Sequence, residues 1–339
     1  MRILVTGGAG FIGSHFARYW LRRYPDDDVV NLDKLTYAGN TENLAEVRDD
    51  RRHRFIRGDV CDRDTVNQAI EGCQFAVNFA AESHVDRSIL EPESFVRTDV
   101  LGVFVLLEAC REHGVSRFLQ VSTDEVYGAI PSGAASESAP LRPSNPYAAS
   151  KAGGDLAALS YFSQYGMHTV VTRGCNTFGS NQYPEKVIPL FVTNAIEDRP
   201  LPVYGDGMQE REWMYVLDHC SAIDVVLRRG SPGDVYNIGT GVRLPNIELT
   251  RMILRELGKP ESLIAFVADR PGHDRRYALD SSKIAALGWK PEHDCAQALA
   301  DTVRWYRENE AWWRPIKSGA FRQFYERQYR QRLQQAGRL

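Results

Sequence analysis

Thr6-Gly7-Gly8-Ala9-Gly10-Phe11-Ile12-Gly13 follows directly on the β-rich run Arg2–Thr6 and opens a stretch with helical periodicity. Gly8, Gly10 and Gly13 satisfy G-x-G-x-x-G, and Gly7 extends it. Side chains in such a turn would keep an anion from the helix N-terminus, where free N–H groups and the dipole attract negative charge. The last glycine lets helix and strand pack closely. Strand, glycine turn and helix in this order predict a dinucleotide site, with Gly7, Gly10, Phe11, Ile12 and Gly13 as cofactor contacts. Asp33 ends the second β-rich run, 20 residues after Gly13, where an acid accepts hydrogen bonds from ribose hydroxyls. Asp59 and Val60 end the third run, where a carboxylate meets the adenine amino group. The acid at position 33 favours NAD over NADP, because it repels a 2′-phosphate; Lys34 beside it tempers that preference.

Working outward, the first half alternates short β-rich runs with longer helical patterns. The strands expected are Arg2–Thr6, Val29–Asp33, Arg54–Asp59, Phe75–Ala80, Arg117–Ser122 and His168–Arg173, and the helices include Ser94–His113 and Tyr147–Tyr165. Such alternation predicts a doubly wound parallel α/β sheet of Rossmann type. The second half is less regular. Helices are expected at Pro184–Asp198, Val216–Arg229, Asn246–Leu257 and Ala296–Asn309, separated by Pro- and Gly-rich loops such as Leu201–Gly207 and Ala268–His273. This predicts an NAD-binding domain over 1–178, with a return segment at about 214–240. A smaller mixed α/β substrate domain takes 179–213 and 241–315. The tail 316–339, rich in Arg, Gln and Tyr, reads either as a docked helix or as a frayed end.

Composition narrows the function classes. The chain has 339 residues, 41 Lys plus Arg against 44 Asp plus Glu, and a net charge of −3, so no basic excess marks it for nucleic acid or a membrane surface. With 43% hydrophobic and 25% charged residues it is an ordinary globular composition, which excludes wholesale disorder. The six cysteines, at 61, 73, 110, 175, 220 and 295, form no C-x-x-C pair and no zinc spacing, so no metal is expected. Cys73 and Cys110 read as small buried hydrophobes. A reduced, cytoplasmic setting is the simplest expectation, since no signal-type segment precedes the first strand and no apolar run is long enough to span a bilayer.

Tyr147 and Lys151 in Pro146-Tyr147-Ala148-Ala149-Ser150-Lys151 stand at i and i+4, on one helix face. A phenol is a poor base at neutral pH, its pKa being about 10. A nearby ammonium and a cationic nicotinamide ring favour the phenolate. Such a phenolate can take a proton from a sugar hydroxyl while hydride leaves the same carbon. The pair follows a fifth strand ending in Ser122-Thr123, which lies over the same crevice.

Taken together, the chain resembles the extended short-chain dehydrogenase/reductases and, more narrowly, the dTDP-glucose 4,6-dehydratases. The resemblance runs over about residues 1–315. It rests on Thr6–Gly13, Leu35–Asn40, Ala80–Ser88, Ser122–Gly128, Tyr147–Lys151, Pro184-Glu185-Lys186 and Asp269–Asp274. It implies a nucleotide-sugar substrate and a homodimer built from the helices Ser94–His113 and Tyr147–Tyr165. Related epimerases and decarboxylases usually carry small or neutral residues where Asp124 and Glu125 stand. The two carboxylates imply a dehydratase. Once C4 of the hexose is a ketone, Glu125 removes the C5 proton, Asp124 protonates the departing C6 hydroxyl, and hydride returns to C6. This requires Asp124 to hold a proton while Glu125 does not. Thr123 is expected to hydrogen-bond the C4 oxygen.

For the diphosphate the resemblance implies Lys186 and Arg211 first, then Arg270 and His273. Asn176 is expected at the sugar or the nicotinamide amide. Ser83, Pro202, Val203, Tyr204 and Asn246 are expected in the sugar and base pocket, and Ala80, Ala81 and Thr98 along NAD. His84, between Ser83 and Asp86, reads at least as well as a loop-holding residue. The aromatic cluster Trp305-Tyr306 and Trp312-Trp313 reads as packing. The family usually has Ser-Asn-Asn-Tyr-Gly-Pro-Tyr-Gln where this chain has Cys175-Asn176-Thr177-Phe178-Gly179-Ser180-Asn181-Gln182. That departure leaves the base open between thymidine and uridine, since Asn181-Gln182 also resembles UDP-glucose 4,6-dehydratases. An NAD-dependent epimerase or ketoreductase, and a non-enzymatic NAD-binding regulator, remain as alternatives.

Overall fold

The computed structural model of the chain describes residues 1–270 and 272–338; Pro271, inside the Asp269–Asp274 segment, lies outside the described residues. Six β-rich runs become β1 (Arg2–Thr6), β2 (Asp28–Asp33), β3 (His53–Arg57), β4 (Phe75–Asn78), β5 (Arg117–Thr123) and β6 (Thr169–Gly174). Ile3, Leu4 and Val5 are successive and all fully buried, as in a strand covered by helices on both faces. Three further strands follow, β7 (Asn176–Phe178), β8 (Leu201–Tyr204) and β9 (Glu210–Tyr215). The chain then returns to the main sheet as β10 (Val235–Ile238), parallel to β6. The main sheet is parallel throughout, in the order β3-β2-β1-β4-β5-β6-β10. Its connections reverse direction between β1 and β4, and sheets of this kind bind ligands beyond their carboxyl ends at that reversal.

Helix α1 (Phe11–Arg23) leaves the glycine turn. It is followed by α2 (Arg63–Ile70), α3 (Val85–Leu90), α4 (Pro92–Val96), α5 (Gly102–Glu112) and α6 (Pro146–Tyr165). The single helix expected over Ser94–His113 is in fact two segments joined by a π turn, Arg97–Leu101. The turn bulges against α6, where glycines make room. A Cβ on Gly154 would sit 2.6 Å from the Asp99 carbonyl oxygen, and one on Gly153 would sit 2.9 Å from Val100 Cγ2. Asn145 caps α6 by accepting from Ala148 N–H at 2.9 Å, Pro146 fills the first helical position, and Gly166 ends the helix in the left-handed conformation. Apolar cores form on both faces of the sheet. One contains Phe16, Trp20 and Ile223, and the other Val66, Leu106 and Phe118. Cys73 and Cys110 are buried in the second.

The second half has its own core. It gathers α7 (Val187–Ile196), while α8 (Val216–Arg229) packs beside α1 on the main sheet. The chain continues through β11 (Arg243–Pro245), α9 (Asn246–Leu257), β12 (Ile264–Val267), α10 (Ser282–Ala286), α11 (Cys295–Glu308), α12 (Glu310–Ile316) and α13 (Ala320–Gln335). β9 pairs with β7 and β11, and β8 pairs in parallel with β12. The stretch Leu201–Gly207, expected as a loop, therefore begins with a strand; Leu201, Pro202 and Val203 are buried too deeply for an open loop. The helix expected from Pro184 starts only at Val187, because Lys186 is extended. Tyr306 and Trp313 are packed in the second core. The tail is a docked helix. Phe321, Tyr325, Tyr329 and Leu333 recur every four residues and bury one stripe in that same core, while Arg322, Arg327 and Arg330 are exposed and Arg332 lies over the Tyr204 ring. Among the described residues, no helix is long and apolar enough to cross a membrane.

Candidate active site

A long cleft crosses the carboxyl ends of the strands. Its outer end is the glycine turn. Gly7 has φ +65°, and a Cβ there would lie 2.7 Å from Ala80 N; a Cβ on Gly13 would collide with the Gly7 carbonyl. Only bare backbone fits this cradle. Asp33 is fixed by the same turn, accepting from Ala9 N–H at 2.9 Å and from Leu35 N–H at 2.7 Å. Asp59, expected at the adenine, pairs with Lys34 at 2.7 Å, so the two charges largely answer each other. The cleft then passes Phe11, Ile12, Val60, Ala80, Ala81 and Thr98 and ends at Thr123, Tyr147 and Lys151. Near that inner end Asn176 Oδ1, Gln182 Oε1 and His219 Nε2 are buried without partners among the described residues. The bare cradle, Asp33 with no cation beside it among the described residues, and these orphaned polar atoms fit a dinucleotide ending in a carboxamide.

Thr123 ends β5 and caps a 3-10 turn, Asp124–Tyr127, its hydroxyl accepting from Glu125 N–H at 3.3 Å. The same hydroxyl donates to Asp124 Oδ1 at 3.2 Å. Asp124 is 3% exposed, and its Oδ2 has no partner among the described residues. Burial first, then the charges of Glu125 and Glu212, push its carboxyl well above the usual carboxylate range. Glu125 is half-buried and accepts from Asn145 Nδ2 at 3.4 Å. Asn145 thus ties the acidic turn to the start of α6, one residue before the helix delivers Tyr147.

Lys151 is buried, and its ammonium donates to the Val121 carbonyl at 2.7 Å. The expectation that it lowers the Tyr147 phenol is not what dominates. Burial, then Glu125 and Asp99, hold the phenol well above its ordinary value, with the Thr123 hydroxyl pulling the other way.

A second cavity adjoins the cleft. Pro202, Val203, Tyr204, Asn246, Arg211, Arg270 and His273 line it. Glu125, Asn176, Glu185 and Lys186 line both spaces and form the wall between them. Arg211 lies over the Tyr277 ring at 4.3 Å and is braced by the carbonyls of Glu210 and Asp274 at 2.9 and 2.8 Å. Arg270 pairs with Asp86 at 3.0 Å. His273, expected among the positive groups, is lowered to about 4 by burial and then by Arg270, so at neutral pH it brings a hydrogen bond and no charge. Lys186 is also lowered, by burial, and donates to the Ser83 carbonyl. Ser83 itself lines the first cleft and not the second. His84 is buried and holds its loop, its Nε2 3.4 Å from the Glu185 carbonyl.

The departure at Cys175–Gln182 lies mostly away from the second cavity, which only Asn176 of that segment reaches. Thr177 meets His219 Nδ1 at 2.9 Å, the Ser180 carbonyl meets His15 Nε2 at 2.9 Å, and Gln182 Nε2 donates to the Thr177 carbonyl at 3.0 Å. These contacts brace the turn that lacks the usual proline.

Several residues around the site were given no role from the sequence. Glu82 lines the cleft, and burial, then Asp99 and Glu185, raise its carboxyl to about 7. Glu185 is gripped by Tyr37 at 2.8 Å and Arg87 at 2.9 Å. Both sit in motif segments, but residue type alone did not separate them from loop-forming acids. Tyr329 of α13 lines the second cavity, and Gln328 donates to Asp86 at 3.0 Å and to Tyr204 at 2.8 Å. Nothing in the Arg- and Gln-rich tail signalled that it reaches this far.

The chain matches the GDP-mannose 4,6 dehydratase family model over residues 4–302. A dTDP-glucose 4,6-dehydratase of Streptomyces niveus is 53% identical over 323 residues, covering 94% of this chain and 96% of that one. The dTDP-glucose 4,6-dehydratase of Streptomyces venezuelae, solved with NAD bound, matches with a TM-score of 0.92 at 53% identity, over 94% of this chain and 100% of that one. A UDP-glucose 4-epimerase of Thermus thermophilus, also solved with NAD, matches with a TM-score of 0.84 at 33% identity, over 91% of this chain and 100% of that one. Architecture is thus shared across both reactions, while the sequence stands nearer to the dehydratases. With the glycine cradle, the Tyr147–Lys151 helix and the Asp124–Glu125 turn in one cleft, the chain belongs to the dTDP-glucose 4,6-dehydratases within that wider nucleotide-sugar dehydratase family.

Proposed function

We propose that this protein converts dTDP-glucose to dTDP-4-keto-6-deoxyglucose, by oxidation at C4, loss of water across C5 and C6, and reduction at C6. The observation that carries the reading is the pair Asp124 and Glu125. One is buried, with an oxygen that has no partner among the described residues and a carboxyl raised well above the usual range; the other stands at the wall between the cofactor cleft and the second cavity. NAD, when bound, supplies a positive ring, accepts the hydride and returns it. The glycine turn, Asp33, Val60, Ala80, Ala81 and Thr98 hold it, with Lys34 and Asp59 at its adenosine end. Tyr147 takes the C4 hydroxyl proton, and Lys151 keeps positive charge beneath it. Thr123 donates to the C4 oxygen. Glu125 removes the C5 proton, made acidic by the ketone, Asp124 gives its proton to the C6 hydroxyl so that it leaves as water, and Glu125 returns the proton to C5 as C6 is reduced.

Arg211, Arg270 and Lys186 take the diphosphate, and Arg suits it through its forked geometry. Pro202, Val203, Tyr204 and Asn246 take the base, with Ser83, Asn176 and His273 as uncharged partners. The domain division belongs to this reading: residues 1–178 and 214–240 handle NAD, while 179–213 and 241–315 handle the nucleotide sugar.

Incubation with dTDP-glucose and with UDP-glucose, read by mass spectrometry, tests this. The expected result is loss of one water from dTDP-glucose and little from UDP-glucose. Preference for UDP-glucose would keep the mechanism and move the base. No water loss from either, with NAD tightly bound, would sink the reading.

The homodimer is part of the same reading. Val96, Leu101, Phe104 and Leu156 are exposed apolar side chains on the π-broken helix and α6, of the kind that a second copy covers. Light scattering is expected to give twice the chain mass. Leu156→Asp, at a site 59% exposed, is expected to give monomers without loss of fold. A wild-type monomer at micromolar concentration would refute it.

A further inference from the structure

Asp99 lies in the π turn and is 1% exposed. A carboxylate so deeply buried persists only with partners. Oδ1 accepts from Glu82 N–H at 3.0 Å, and Oδ2 accepts from the Ser150 hydroxyl at 2.7 Å. Both partners adjoin the chemistry. Glu82 continues the Ala80-Ala81 loop along the cofactor cleft, and Ser150 immediately precedes Lys151. The widened turn makes this reach possible, since its backbone presses into the space left by Gly154 and its Val100 side chain into that left by Gly153.

The charged and titratable groups facing Asp99 are Lys151 and Tyr147 of α6 and Glu82 of the loop. No guanidinium or ammonium donates to the carboxylate among the described residues. We propose that Asp99 is a positioning residue for the oxidation step: it is the buried counter-charge of Lys151, and it ties the Lys151 turn to the cofactor loop.

Two consequences follow. The carboxylate's negative charge opposes a phenolate at Tyr147. Burial holds the Asp99 carboxyl up to about 6, so the counter-charge is present at neutral pH and lost below it. Asparagine at this position preserves the geometry without the charge. Its oxygen still accepts from Glu82, and its amide donates to the Ser150 hydroxyl, whose proton then turns to the Tyr147 carbonyl 2.8 Å away.

The oxidation half of the proposal rests on the dehydratase reading; the tie to the cofactor loop does not. Calorimetric titration of the full chain with NAD alone tests the tie. Asp99→Asn is expected to bind within about twofold of wild type, and Asp99→Ala about tenfold more weakly, the effect of one buried hydrogen bond left unmade. Equal binding by Asp99→Ala and wild type overturns the tie. The pH profile of single-turnover nicotinamide reduction on dTDP-glucose tests the counter-charge. In Asp99→Asn the midpoint is expected to move down by about one pH unit, because the phenolate is no longer opposed. An unmoved midpoint overturns the counter-charge. Wild type that never reduces the nicotinamide on dTDP-glucose would instead refute the dehydratase reading, and the calorimetry would still decide the tie.

Discussion

Replacing Tyr147 by phenylalanine is expected to lower the oxidation rate by about a thousandfold, the scale of a lost general base, while leaving NAD affinity and melting temperature near wild type. The ring keeps its edge contact with Phe95 at 6.3 Å, so the substitution removes an oxygen and little packing. Single-turnover mixing with dTDP-glucose, followed by the absorbance of reduced nicotinamide, reads the step directly. The surroundings of the phenol also fix the sign of the pH dependence. Burial and the acids around it hold the proton on Tyr147, so the oxidation rate rises with pH until the phenolate forms. A Phe variant within tenfold of wild type would remove Tyr147 from the reaction.

Asp124→Asn is expected to act later. Oxidation proceeds, elimination slows by about a hundredfold or more as the general acid is lost, and reduced nicotinamide accumulates where wild type shows only a transient. Losing nicotinamide reduction to the same extent in this variant and in Tyr147→Phe would contradict the assignment of separate steps. The same substitution carries a stability signature. The Asp124 carboxyl is raised in the folded protein, so above the unfolded carboxylate range the folded state binds more protons than the unfolded one. Stability contributed by this group therefore falls as pH rises from about 4 toward the folded value. Asparagine does not titrate. The variant is expected to melt above wild type at neutral pH, with the gap closing near pH 4. A variant melting below wild type at neutral pH would mean that the carboxyl is stabilising and not held protonated by its surroundings.

The parts of the site legible from sequence were those where backbone chemistry demands particular residues. A phosphate cradle tolerates only glycine, so Gly7, Gly10 and Gly13 stood out. The Tyr147–Lys151 spacing is one helical turn, and an acid at Asp33 ends a strand at the expected distance. The residues that escaped notice or were misread depend on what packs around them in the fold. Glu82 is an unremarkable acid until Asp99 and Glu185 are folded around it. His273 looked like a cation until burial beside Arg270 neutralised it. Asp99 sat in a helix whose π turn has no signature in periodicity.

By itself, then, the sequence determined the parallel sheet and its ligand end, because hydrophobic alternation, glycine spacing and strand-end acids are local constraints that any fold of this chain must satisfy. It also determined the chemistry available, through Tyr147, Lys151, Asp124 and Glu125. Only the tertiary structure showed how deeply Asp124 is buried and that the charges of Glu125 and Glu212 face it, which raises its carboxyl well above the usual range. It alone decided that the tail closes the second cavity. The Phe321, Tyr325, Tyr329 and Leu333 stripe has no meaning until a distant core offers it a surface to cover.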